Sequence, residues 1–268
     1  PENGTHAMSR LSVENLSMVF GGITAVDDFS FSVEPGEVVA LIGPNGAGKS
    51  TVFNAISRVY NVMRGRISYN GKEITHLKPH RIAGLGIART FQNIELFDHS
   101  TVLHNLLIGR HTASRCNALR HLLYTGAVRR EEISHRQHVE QVIDFFDLQA
   151  YRHTAITALP YGVRKIVEVA RAVVLQPGLL LLDEPASGLS AEEATDMAFW
   201  IEDLQKEMGI SVLMVEHNMA LVSRVADRVI AMSDGRYLAT GTAREVQQHP
   251  DVIDVYLGGE PSVTGGQT

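Results

Sequence analysis

Residues 11–43 carry their apolar positions in two ways. "LSVENLSMVF" and "ITAVDDFSFSV" largely alternate apolar with polar, whereas "EVVALIG" runs apolar almost without a break. Alternation marks a strand with one buried face, and a short unbroken run marks a strand covered on both. Three strands are predicted, joined by turns at Gly21-Gly22 and Pro35-Gly36. A helix is predicted from about Lys49 to Arg58. "GRISYNGKEI" reads as a hairpin turning at Asn70-Gly71, and "GIARTFQ" as another strand.

From about Asn93 to Ala172 the period becomes helical, through "TVLHNLLIGR", "CNALRHLL", "RREEISHRQHVEQVIDFFDL" and "LPYGVRKIVEVARAVV". Pro160 suits the first turn of the last of these helices, where a missing N–H costs no intrahelical bond. Strand signals return with "LLLLD" and "SVLMVE", on either side of the helix "SAEEATDMAFWIEDLQKE". Ser190 and Glu193 form a capping box at that helix's start. "DRVIAMSDGRYLATG" is a final hairpin turning at Asp234-Gly235, followed by two short helices. Strands alternating with helices predict an α/β fold with a mainly parallel sheet covered on both faces. An antiparallel β portion precedes it and a helical lobe is inserted. The expected division is a core over 8–92 and 173–258, a lobe over about 93–172, residues 1–7 as additions ahead of a start at Met8, and a frayed tail over 259–268.

Composition narrows the class. The chain has 268 residues, 44% hydrophobic and 20% charged, which suits one large domain or one domain with a lobe. The formal charge of −6, with scattered Lys and Arg, offers no basic field, so no nucleic-acid partner is expected. A single cysteine, Cys116, excludes an internal disulfide and suits a reducing compartment. No apolar run reaches the roughly 18–20 residues of a membrane span. The pair His135 and His138 has no third ligand converging in sequence and reads as a solvated helix face.

Candidate chemistry begins at "GPNGAGKST", Gly43 to Thr51, which fits G-x-x-x-x-G-K-[ST] after an apolar strand and before a helix. Gly43, Gly46 and Gly48 permit a tight turn whose N–H groups point inward at phosphate oxygens. Lys49 reaches the terminal phosphates, and Ser50 offers a hydroxyl to magnesium. Pro44, Asn45, Ala47 and Thr51 complete the cradle. "LLLLDEP" places Asp183 and Glu184 at the carboxyl end of an apolar strand, outside which ligands bind in open α/β sheets. Adjacent acids there require a cation or a partner. Asp183 is expected on the magnesium shell through water, and Glu184 on the water that attacks the γ-phosphate. These two motifs alone would also fit kinases, GTPases or helicases, although no guanine-reading N-K-x-D occurs.

With further motifs in order from Leu11 to Gly258, the chain resembles the ATP-binding subunit of ABC transporters. The resemblance implies a P-loop NTPase core, ATP and Mg2+ as cofactors, and ATP hydrolysis. It assigns Gln92 in "RTFQNIELF" to the glutamine loop, touching magnesium or the attacking water. It assigns His217 in "VLMVEHNM" to the γ-phosphate and Phe20 to the adenine ring. "SGLS", Ser187 to Ser190, matches the loop that crosses the dimer interface, with Ser190 in place of the family's aspartate. "LPYGV" stands where the family carries L-S-G-G-Q, so Leu159, Pro160, Tyr161, Gly162 and Val163 are expected to face the ATP held by a second cassette. Pro160 removes a hydroxyl and Val163 an amide. Each lost bond to a charged group is worth roughly 1.5–3 kcal/mol, so this composite site is expected to be weakened.

"RTFQNIELF", the long stretch "GRHTASRCNALRHLLYTGAVRR" and the close "LATGTAREVQQHPDVIDVYLG" resemble the branched-chain amino-acid importer branch. The implied partners are a second cassette, identical or different, transmembrane permease subunits docked near Asn93–Phe97, and indirectly a periplasmic or extracellular substrate-binding protein. The implied location is the cytoplasmic membrane face. A urea or amide importer, a lipopolysaccharide-export ATPase subunit and a nucleotide-gated docking module with little turnover stay open as alternatives. A ribosome- or DNA-acting ABC ATPase fits less well, because the chain shows one cassette, a short lobe and net negative charge.

Overall fold

The computed structural model describes residues 10–90, 94–111 and 126–257. Gln92, Asn93, the expected helix at "CNALRHLL", residues 1–7 and the 259–268 tail lie outside them. In chain order the elements are β1 (Leu11–Phe20), β2 (Ile23–Val33), β3 (Val38–Ile42), α1 (Lys49–Ile56), β4 (Arg64–Tyr69), β5 (Lys72–Glu73), α2 (Pro79–Gly84), β6 (Ile87–Arg89), α3 (Val102–His111) and α4 (Gly126–Phe145). There follow α5 (Tyr161–Val173), β7 (Leu179–Asp183), α6 (Ala191–Lys206), β8 (Ser211–Val215), α7 (Met219–Val225), β9 (Arg228–Ser233), β10 (Arg236–Gly241), α8 (Ala243–Gln247) and α9 (Pro250–Leu257). They form two compact units, Pro1–His76 with Met214–Thr268, and Leu77–Leu213.

The first unit holds an antiparallel sheet in the order β2-β1-β4-β5, and the set β10-β9-β3, in which β3 and β9 run parallel. Along β1 the buried residues are Leu11, Val13, Leu16 and Met18, so the period of two slips between Val13 and Leu16. The pairing register shifts at the same place. Asn15 adopts φ 50° and Asp28 opposite adopts φ 52°; Asn15 Nδ2 donates to Asp28 Oδ1 at 2.8 Å, and Asn15 N–H to Ser30 Oγ at 2.8 Å. A bulge absorbs the extra residue and returns Leu16 to the core face. α1 stops at Ile56, two residues before the expected end. Ser57 Oγ donates back to the Phe53 carbonyl at 2.7 Å and Arg58 turns to φ 61°, which a helix cannot continue through.

The second unit holds β6 and β7 in parallel register, with β8 beside β7. Every residue of β7 and β8 is buried, as an unbroken apolar run predicts. The helices contribute Val102 and Leu106 of α3, Val142 and Ile143 of α4, and Val167, Ala170 and Val173 of α5 to its core. Phe146 stacks edge-on with Phe145 at 5.0 Å and tilts against Trp200 of α6 at 5.3 Å, closing the end of α4 onto α6. Buried Asn105 takes the N–H of Phe97 on Oδ1 at 2.8 Å and donates to the carbonyls of Phe97 and Thr101. A polar side chain thereby satisfies the non-helical backbone ahead of α3. Pro160 proves to be the N-cap of α5, one residue before the first turn. α2 and α7 are not among the predicted helices. Each is a single short turn-rich segment of six or seven residues, below the length at which periodicity is readable.

Phe146→Ala is expected to destabilise the chain by about 3–5 kcal/mol. A urea titration would read this, and the emission of Trp200, the chain's only tryptophan, would report the loosened packing directly.

Candidate functional site

The cradle lies in the first unit, where buried β3 delivers the chain into the turn Gly43–Gly48 and then into α1. Gly48 is the N-cap residue at φ 101°, with no side-chain cap bond, and no acid stands in the first turn of α1. An uncapped, acid-free N-terminus leaves the helix dipole for an anion. A Cβ at Gly48 would stand 2.3 Å from the Ala25 carbonyl oxygen, and one at Gly43 would stand 2.1 Å from that of Met232. The Ala47 N–H bonds Pro44 O at 3.2 Å, and the Ala47 carbonyl accepts from Gly235 N–H at 2.9 Å. The β9–β10 hairpin therefore buttresses the turn from beneath, through Met232 and Gly235. Lys49 is only 6% exposed and its Nζ donates to the carbonyls of Gly43 at 2.7 Å and Pro44 at 2.9 Å. The ammonium is thus fixed over the turn. Asn45, Gly46 and Ser50 are exposed and Thr51 is half-buried, so the cradle opens to solvent on its ligand side.

The same unit holds Phe20 at the end of β1, 41% exposed, with Tyr60 edge-on at 5.0 Å and itself 38% exposed. Two open aromatics suit a planar base. His217 is exposed, two residues past the end of β8. Its N–H and that of Asn218 both bond the carboxylate of buried Glu216, at 2.8 and 3.0 Å, which sets the backbone carrying the imidazole. Tyr256 of α9 reaches the cradle's first glycine: burial raises its pKa, and the Gly43 backbone amide partly draws it back.

The second unit holds the acids. Asp183, the last residue of β7, accepts from Arg89 Nη2 at 2.9 Å, with side chains 5% and 11% exposed. Arg89 ends β6, which lies in register beside β7. The partner that adjacent acids require is this guanidinium. Glu184 adopts φ 51°, a strained conformation for a residue with a Cβ, and its carbonyl accepts from the Ser187 N–H at 3.1 Å. Such strain persists where surrounding structure imposes it, and it clusters at reactive sites.

Leu159 is buried; Pro160 is the N-cap of α5, and Tyr161, Gly162 and Val163 form its first turn. Tyr161 OH bonds the Ser187 carbonyl at 3.3 Å and its ring lies over Gly188, so the signature stretch rests on the "SGLS" loop. The Ser190–Glu193 capping box forms as expected, with bonds of 2.8 and 3.2 Å. Gln92 lies outside the described residues. Phe97, at the expected docking position, is described and exposed. Among the described residues no three His, Cys, Asp or Glu side chains converge on a metal site, and no helix is long and apolar enough to cross a membrane. The exposed Ser50 hydroxyl beside the cradle fits magnesium held mainly by phosphates and water, and would not fit an all-protein cage.

Sequence reasoning missed Arg89, Tyr60, Tyr256 and the buttress at Met232 and Gly235. A cation somewhere opposite Asp183-Glu184 was foreseeable, and so was a turn at Asp234-Gly235. Their positions depend on which strands lie side by side.

An ABC transporter family profile matches residues 26–187, and one for the branched-chain amino acid ATP-binding cassette transporter matches residues 238–261. The chain belongs to the ABC transporter family, with the P-loop α/β fold of its ATP-binding cassettes. Within that family it is 40% identical to the high-affinity branched-chain amino acid transport ATP-binding protein BraF of Pseudomonas aeruginosa, over 94% of this chain and 99% of that one. It is 37% identical to LivG of Escherichia coli, the corresponding transport ATP-binding protein, over 92% and 97%. Among solved structures it superposes on the ADP conformation of MJ1267, an ATP-binding cassette of an ABC transporter, with a TM-score of 0.82 at 32% identity over 94% and 99% of the two chains. A nucleotide-free ATP-binding cassette gives 0.81 at 32% identity over 93% and 99%.

Two substitutions test the local physics. Gly48→Ala should cost roughly 1–3 kcal/mol for its dihedral alone, plus the clash with Ala25, seen as a lower Tm. Arg89→Met should cost about 3–5 kcal/mol by leaving Asp183 buried and unpaired, and Asp183→Asn in the same chain should restore much of the loss. A denaturant series on the three variants reads both.

Proposed function

We propose that this chain is the ATP-binding and ATP-hydrolysing subunit of an importer for branched-chain or related amino acids. The observation that carries the reading is the cradle: a glycine turn locked against Met232 and Ala25, a fixed lysine, and an uncapped helix start. The names of the 40% and 37% identical relatives support the cargo class, and so does the match at the chain's C-terminal end.

In this reading ATP lies with its phosphates on the N–H groups of Gly43–Thr51 and its adenine against Phe20, with Tyr60 supporting the ring. Ser50, Gln92 and, through water, Asp183 would hold magnesium, which would supply charge neutralisation to the phosphates. Arg89 donates to Oδ2 of Asp183 and aims the carboxylate. Glu184 accepts a proton from the water whose oxygen bonds the γ-phosphorus as the ADP oxygen leaves. His217 contacts the γ-phosphate. Little covalent work falls to the protein, so these groups act by position and charge.

Leu159–Val163 face the ATP of a second cassette, and the segment near Asn93–Phe97 docks a permease at the cytoplasmic membrane face. Closure on two nucleotides moves the permease, and loss of the γ-phosphate reopens the pair. Glu184→Gln is expected to retain ATP binding, to lower turnover by at least a hundredfold, on the order expected for general-base loss, and to sediment as a nucleotide-dependent dimer. Turnover near the wild-type rate by that variant would remove Glu184 from its assigned role.

A further inference from the structure

The N-terminus of α5 already meets a negative charge from its own chain. Glu193 stands at the third helical position of α6, where one carboxylate oxygen, Oε2, accepts the Ser190 N–H at 2.8 Å. Its other oxygen, Oε1, is directed away from that cap and toward α5. It lies only 2.3 Å from where a Cβ on Gly162 would be, with the carboxyl carbon at 2.8 Å. Only a glycine admits the carboxylate this close. The bonds at Ser190 hold the carboxyl below its usual range, and the Gly162 backbone amide draws it lower still. Tyr161 meanwhile ties the preceding residue of the signature to Ser187. Both ends of the "SGLS" loop are therefore fastened to the start of α5, Ser187 through Tyr161 and Ser190 through Glu193.

Pro160 supplies no side-chain hydroxyl to this helix start and forms no side-chain cap. A helix N-terminus carries about half a positive charge and favours an anion. In this chain the Glu193 carboxylate stands at that terminus. We propose that Glu193 is an internal counter-anion of the signature helix, a positioning residue that competes with the γ-phosphate of the second cassette and sets the ATP level at which the pair closes. This rests on the reading that Leu159–Val163 face a partner's nucleotide. An approaching phosphate meets a like charge, and closure requires Oε1 to withdraw from Gly162. Because Oε2 is bonded at Ser190, the withdrawal pulls on the loop that crosses the interface. Arrival of the phosphate is thereby felt at the "SGLS" loop of the same cassette.

The test compares the full-length chain with Glu193→Gln and Glu193→Ala. Gln keeps the capping box, because Gln serves at that position as Glu does, while it removes the charge. Glu193→Gln should keep its Tm within about two degrees, consistent with an intact cap. It should reach half-maximal ATPase activity at roughly three- to tenfold lower ATP, from the relief of like-charge repulsion at a helix terminus, with the saturated rate unchanged. Added salt should narrow the difference. Glu193→Ala should show the same ATP shift with a lower Tm. A purely structural Glu193 would instead lower Tm in both variants and leave half-saturation where it was, and that outcome overturns the proposal. A second measurement is independent of ATP. The Gly162 amide resonance should follow the acid titration of Glu193 in the wild type and lose that titration in Glu193→Gln; an amide indifferent to pH and to the substitution overturns the contact itself. If no form hydrolyses ATP, the function proposed above fails and the gating role falls with it, whereas activity with unaltered half-saturation removes the gate alone.

Discussion

At Gly43 and Gly48 the backbone approaches the carbonyl oxygens of Met232 and Ala25 more closely than any side chain would permit. The remainder of the nucleotide end depends on that approach. It lets the turn fold against the tip of the β9–β10 hairpin, where Gly235 donates to Ala47, and it aims α1 with its first turn free of acids and side-chain caps. Lys49 then has one place to go, over the carbonyls of Gly43 and Pro44. A phosphate-binding turn is a set of amide dipoles, and dipoles help only when they are already oriented before the ligand arrives. The buried strands β3 and β9 and the hairpin turn provide that orientation at the cost of admitting glycine alone at two positions.

The acidic end follows a different physical rule. Asp183 ends a fully buried strand and Glu184 follows it, where unpaired carboxylates are costly. Arg89, brought alongside by the parallel register of β6 with β7, answers the first acid, and a left-handed backbone carries the second away from the strand. The two acids thus stand on different backbones, Asp183 within the strand and Glu184 at φ 51° just past it.

Much of this was readable from the residues. The unbroken apolar runs "VVALI" and "LLLLD" predicted buried parallel strands, the dipeptides Asn70-Gly71 and Asp234-Gly235 predicted hairpin turns, and Ser190 with Glu193 predicted a helix start; each is a local rule acting on local sequence. The glycine spacing from Gly43 to Gly48 was legible for the same reason. What escaped were pairings set by topology: Arg89 with Asp183, Tyr60 with Phe20, Tyr256 with Gly43, and the second contact of Glu193 with Gly162. The bulge at Asn15 escaped as well, because a slip of one residue in an alternating strand is visible only against its partner. Pro160 was placed one position too far into its helix, since a missing N–H is tolerated equally at the cap and in the first turn.

Calorimetry of the purified chain with Mg·ATP, paired with a thermal-unfolding scan, addresses the cradle most directly. A ligand at a hundred times its dissociation constant stabilises a folded protein by about 2.7 kcal/mol, so saturating Mg·ATP should release measurable heat and raise Tm by several degrees. Both effects should vanish in a folded Lys49→Ala chain. A well-folded wild-type sample that shows neither heat nor thermal protection would contradict the claim that the Gly43–Thr51 turn holds a nucleotide's phosphates.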